Sequence, residues 1–231
     1  GSLDNTTPYT VAQFDMNFSG SLENFKAVSA NPNYTFTFLD PYMTWPYLQV
    51  TAAGSALNLL WHGGDAEHPN NWDLSTVNWI NKADSQPSRF YDSSPAFFDD
   101  TAVTKEITVA EDISAVMTFQ HASGDYVLTG PGTLKGALKQ EGDGTITVAT
   151  AKMPELTSIA NDAGTLVLAL PGGNATISAP ITGQGQIIKS SANTVTLTGD
   201  NSMYQGTLVI TNGVLRYNNL KALGTVLTPL Y

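Results

Sequence analysis

The sequence predicts an all-β chain, wound over its C-terminal part as a right-handed parallel β-helix, a solenoid with turns of about 20 residues. Three observations carry this. Gly124, Gly144, Gly164, Gly185 and Gly206 recur at spacings of 20, 20, 21 and 21 residues. Each glycine opens a short alternating run: Gly-Asp-Tyr-Val-Leu, Gly-Thr-Ile-Thr-Val, Gly-Thr-Leu-Val-Leu, Gly-Gln-Ile-Ile-Lys and Gly-Thr-Leu-Val-Ile. Charged residues make up only 13% of the 231. Thr, Asn, Gly and Ser fill the polar positions instead, a choice that favours strands and turns over salt-bridged helices.

Taken in chain order, residues 1–8 are expected to be a tag remnant and disordered start, with Gly1-Ser2 resembling what cloning leaves behind. A first β unit is expected over 9–60. Tyr9-Thr10-Val11 matches Ile107-Thr108-Val109 in pattern, and Asn31-Pro32-Asn33-Tyr34-Thr35-Phe36 matches Ser123-Gly124-Asp125-Tyr126-Val127-Leu128. Gly54 lies 20 residues past Tyr34, comparable to Gly144 lying 18 past Tyr126. Residues 61–100 break the pattern. They hold Trp61, Trp72 and Trp79 among Gly, Pro, Asn and Asp, and read as an ordered insertion with one short helical turn at 76–82.

The repeat region proper is expected over 101–231. Alternate residues of a strand face one side, so the second residue after each glycine should point inward, giving Tyr126, Ile146, Leu166, Ile187 and Leu208. The fourth gives Leu128, Val148, Leu168, Lys189 and Ile210. Lys189 is the exception, expected where its strand leaves the core. Ala175-Thr176-Ile177 and Thr194-Val195-Thr196-Leu197 add further short strands, so each turn should have two or three faces separated by Gly, Asn or Pro corners. Five or more turns about 4.8 Å apart would form a rod on the order of 25 Å long. An antiparallel β-sandwich also repeats strands between turns, but it needs no fixed 20-residue phase.

Composition narrows the function. A hydrophobic content of 42% supports a real core. The formal charge is -10 and the only arginines are Arg89 and Arg216, so no basic stripe could neutralise phosphates and nucleic acid is not an expected partner. No apolar run approaches the roughly 18 residues that would cross a bilayer, so this segment is not expected to insert into membrane. There is no cysteine, which rules out disulfides and thiolate metal sites. Asn33-Tyr34-Thr35 and Asn174-Ala175-Thr176 are glycosylation sequons that count only in a host that uses them.

Residues 183 to 224 carry a family resemblance. Gly-Gln-Gly-Gln-Ile-Ile-Lys, Val-Thr-Leu-Thr-Gly-Asp-Asn, Tyr-Gln-Gly-Thr-Leu-Val-Ile-Thr-Asn-Gly-Val-Leu and Ala-Leu-Gly follow one another there. This resembles the autotransporter-associated β-strand repeat. Trp61-His62-Gly63, Asn71-Trp72, Asn78-Trp79 and Phe98-Asp99-Asp100 resemble the cassette that often precedes such repeats, so the similarity covers roughly 57 to 224. Ser191-Ala192-Asn193-Thr194-Val195 departs from the repeat's Gly-x-Gly-Thr-Leu step. The resemblance implies a stalk or passenger segment of an exported Gram-negative surface protein, extracellular or cell-surface, with no catalytic residues to carry over.

Candidate chemistry is sparse. Glycan-cleaving β-helices gather acids and bases on one face, yet no column beside the ladder glycines stacks two acids, leaving Glu141, Asp162 and Asp200 at corners. His62, Asp65, Glu67 and His68 are close in sequence without a recognisable metal spacing. Asp92, Asp99 and Asp100 could offer oxygens to calcium, although Phe97-Phe98-Asp99-Asp100 reads more simply as an inward aromatic pair followed by turn acids. No cofactor is expected. Trp61, Trp72, Trp79 and Tyr91, with Trp45, could form a glycan-stacking platform; the competing reading is an aromatic plug closing the end of the solenoid. The expected function is therefore a non-enzymatic, adhesin-type scaffold, with a carbohydrate-binding module and a glycan-cleaving enzyme as alternatives. Expected partners are glycans or host surface ligands, and other copies through open solenoid ends.

Overall fold

The computed structural model describes residues 8–13, 25–26, 32–39 and 47–225. Residues 1–7 of the expected disordered start, Asn31 and Trp45 lie outside the described residues. The chain forms two compact units, residues 1–57 and 58–231.

The first unit holds β1 (Tyr9–Gln13), β2 (Thr35–Phe38) and β3 (Tyr47–Ala53), with β3 in the middle and both pairings antiparallel. It is not an earlier copy of the ladder. Period-two alternation is the same for parallel and antiparallel strands, so the match of 9–60 to the later repeat carried the strand signal without the connectivity. The boundary also falls before Asn58 rather than after residue 60.

The second unit is the solenoid, and it begins just ahead of what reads as an insertion at 61–100 and takes those residues into its first turns. Its elements are β4 (Leu59–Trp61), β5 (Asn71–Trp72), β6 (Trp79–Asn81), β7 (Gln86–Ser88), β8 (Pro95–Phe98), β9 (Glu106–Val109), β10 (Ile113–Phe119) and β11 (Tyr126–Thr129). Then follow β12 (Leu134–Gln140), β13 (Thr145–Val148), β14 (Glu155–Asn161), β15 (Thr165–Leu168), β16 (Ala175–Ile177), β17 (Ile181–Thr182), β18 (Gln186–Lys189), β19 (Thr194–Leu197), β20 (Leu208–Ile210) and β21 (Val214–Tyr217). One face is the parallel series β4-β8-β10-β12-β14-β17, and a second is β5-β9-β11-β13-β15-β18-β20. A third face, β16-β19-β21, starts late. The expected helical turn at 76–82 is instead β6, which pairs antiparallel with β4 and carries β7 on its outer edge.

Register explains the ladder. On the second face Tyr126 lies over Ile146, then Leu166, Ile187 and Leu208, with steps of 20 or 21 residues. On the first face Leu59, Ala96, Met117, Leu138, Ile159 and Ile181 form a matching pile. Parallel in-register pairing places like on like, so apolar side chains bury one another at about 25 cal/mol per Å² removed from water. The antiparallel sandwich is therefore not the fold.

The glycines allow the turns to approach. A Cβ on Gly206 would land on the carbonyl oxygen of Gly185, and one on Gly164 on that of Gly144. Lys189 does not leave the core. It stays in its column under Leu168, fully buried, and its ammonium donates to the carbonyls of Ser191 and, at 2.9 Å, Asn212. The flexible stem lets a lysine occupy an aliphatic position while its head satisfies a corner.

Candidate functional site

The predicted aromatic residues are brought together, but inside. Trp61, Trp72 and Trp79 are at most 1% exposed. Trp79 meets Trp61 edge-on at 5.2 Å and Trp72 at 5.1 Å, and Phe90 closes over both Trp72 and Trp79 at 5.2 and 4.9 Å. Trp61 Nε1 donates to Thr104 O at 2.8 Å, while the Nε1 groups of Trp72 and Trp79 have no hydrogen-bond partner among the described residues. These indoles present no free face on which a sugar could stack. Tyr91 stands apart, half-buried beneath the Arg89 guanidinium at 4.9 Å. With β6 and β7 covering the edge of β4, the aromatic cluster caps the first turn, where an apolar column would otherwise meet water. Of the expected inward pair only Phe98 points inward; Phe97 faces out under Lys82 Nζ at 4.0 Å.

Four of the candidate metal ligands, Asp65, Asp92, Asp99 and Asp100, already accept hydrogen bonds from the chain itself. Asp99 Oδ1 accepts from Thr101 N and Oγ1 at 2.8 and 2.6 Å, and Asp92 Oδ1 from Ser114 N at 2.7 Å. Asp100 accepts from Lys105 Nζ at 2.8 Å and from the backbone of Ala122 and Ser123, contacts that hold its carboxyl well below the usual range, the lysine foremost. Asp65 Oδ1 caps the amides of Glu67 and His68 at 3.1 and 2.9 Å. Among the described residues no three His, Asp or Glu side chains gather in a metal-binding group.

The corner acids are partly assembled. Glu141 and Asp162 share Lys139, at 2.6 and 3.8 Å, whereas Asp200 pairs with Lys221 at 3.2 Å. Lys139 and a bond from Gln120 push the Glu141 pKa down. A general acid needs the opposite shift.

A cleft of about 350 Å³ that the sequence reading missed opens where the third face begins. β12 and β14 each run seven residues along the first face, but β17 continues β14 only at Ile159 and Ala160. Among the described residues the first half of β14 therefore has β12 on one side and no strand on the other. In the next turn the chain diverts into β16, whose only strand partner among the described residues is β19. Between these two edges the interior shows through. Leu138, Val148, Leu166, Leu168 and Leu170 form its floor, and Met153, Pro154 and Leu156 form one lip. No family model, curated protein or solved structure matches the chain. The signal that could have located the cleft is present in the sequence: Ala175-Thr176-Ile177 has a counterpart one turn later at Val195-Thr196-Leu197, whereas 21 residues earlier the chain has Pro154-Glu155-Leu156, with a proline at the first position.

Proposed function

We propose that this chain is a non-enzymatic scaffold segment of an exported surface protein of a Gram-negative bacterium, of the kind built from autotransporter-associated repeats. The observation that carries this reading is the unbroken in-register column from Tyr126 to Leu208, matched by outward positions at Val127, Thr147, Val167 and Ile188 that offer no reactive group. Such a chain invests its sequence in regular stacking rather than in a reaction centre. The lowered Glu141 carboxyl and its lysine partner support a solvated ion-pair face over an acid–base pair.

Protease treatment of intact cells, followed by detection with an antibody against the solenoid, tests export. Loss of the signal without lysis is the expected result, and protection until lysis overturns the reading. Incubation of the purified chain with acidic polysaccharides is expected to release no unsaturated or reducing ends, and steady release would assign it to the glycan-cleaving class.

A further inference from the structure

We infer that the cleft between β14 and β16 is a strand-accepting slot that binds an extended, apolar peptide by β-augmentation. The argument starts from backbone direction. Ile177 O accepts from Thr198 N at 2.9 Å, so the peptide groups of Ile177 face β19. Neighbouring residues of a strand turn their N–H and C=O groups to opposite sides, so those of Thr176 face the side where no strand lies among the described residues. Its side chain is exposed, while Ala175 and Ile177 are buried on the inward face. The edge thus offers a donor and an acceptor beside an apolar floor.

The opposite wall has the same character. Glu155 and Leu156 pair with Lys135 and Gly136 of β12, and the register slips before Ser158, leaving the Glu155–Ser158 stretch without a strand on the β17 side. An occupant that satisfies strand edges and also fills an aliphatic floor must carry backbone amides and alternating apolar side chains. A small hydrocarbon could fill the floor but would leave the edge of β16 unused. A peptide strand laid beside β16 continues the third sheet by one member, completing the face that the preceding turn omits. A volume of about 350 Å³ lies at the small end of ligand sites and suits a few aliphatic side chains rather than a folded domain.

The chain's formal charge of -10 selects the probe: a fluorescein-labelled peptide of about eight alternating valine and threonine residues, flanked by lysines and blocked at both ends. Fluorescence anisotropy on the full chain should show saturable binding. Thr176→Pro removes the N–H that β16 aims at the slot, and proline is tolerated on an edge strand, so it should weaken binding about tenfold or more. Leu156→Trp, which fills the lip, should also weaken it. Because Thr176→Pro could disturb folding, hydrogen exchange on the unaltered protein supplies a second reading. The Thr176 amide should gain protection when the peptide is added. Absence of peptide binding overturns the inference. So does binding that neither protects Thr176 nor responds to Thr176→Pro, and so does uptake of anilinonaphthalene sulfonate without any uptake of peptide, which would make the cleft a small-molecule site.

Discussion

Phe98 and Phe119 lie one above the other, ring centroids 4.2 Å apart and planes 8° from parallel. They are register partners on adjacent parallel strands, so the stacking follows from the winding of the chain. The same column continues to Gln140 and Asn161. Their side-chain amides donate to the carbonyls of Gly144 at 2.5 Å and Gln186 at 2.9 Å, closing corners where the aromatic rings upstream close the core.

Phe119→Ala should cost about 3–5 kcal/mol, because the ring contacts Phe98 above and Tyr126 at 5.5 Å and its loss leaves a cavity spanning two turns. Guanidinium unfolding followed by circular dichroism measures this. A loss below about 1 kcal/mol would mean that neighbouring turns collapse freely into the gap.

The indole cluster should behave as core. Trp72→Ala and Trp79→Ala should each destabilise the solenoid unit by about 3–5 kcal/mol. In a Trp45→Phe background, iodide should scarcely quench the native emission of the other three tryptophans, which are enclosed. Ready quenching would put an indole face at the surface and revive a sugar-stacking role.

Glycines of the ladder should differ in their tolerance of a methyl group. At Gly206 a Cβ strikes backbone of Gly185, which cannot move without separating turns, so Gly206→Ala should cost about 3 kcal/mol. At Gly124 the obstacle is the movable Lys105 side chain and a φ of 64°, so Gly124→Ala should cost only about 1 kcal/mol. Thermal or chemical denaturation of the pair decides, and equal costs would argue against close backbone approach as the reason for the ladder.

His121 should make stability depend on pH near neutrality. Burial chiefly, with Lys105 nearby, holds its pKa below 6.5, opposed by its Thr145 contact and by Asp100 and Asp125. Nε2 lies 3.1 Å from Thr145 O and therefore carries the proton of the neutral ring. The unfolded chain takes up the second proton more readily, so the folded state loses stability as pH falls below about 6.5 toward the folded value. His121→Gln should flatten the slope of unfolding free energy between about pH 7 and about pH 5. The contributions of Asp100 and Asp112, whose carboxyls are held low by Lys105 and Lys152, are lost only below their ordinary value of 3.8. An unchanged slope in the variant would remove His121 from this role.

The sequence by itself determined the solenoid, its period, and the two inward columns from Tyr126 and Leu128 onward, because each is a regular spacing of residue types that only repeated stacking satisfies. The inward lysine at 189 and the antiparallel first unit were hidden for one reason: alternation specifies which side of a strand is apolar, and says nothing of where a long side chain ends or which strand lies alongside. Only the tertiary structure decided that Trp61, Trp72 and Trp79 form a cap and that a cleft opens between β14 and β16. Both depend on strands that lack a partner on one side, and whether a strand has a neighbour is settled by how distant parts of the chain meet.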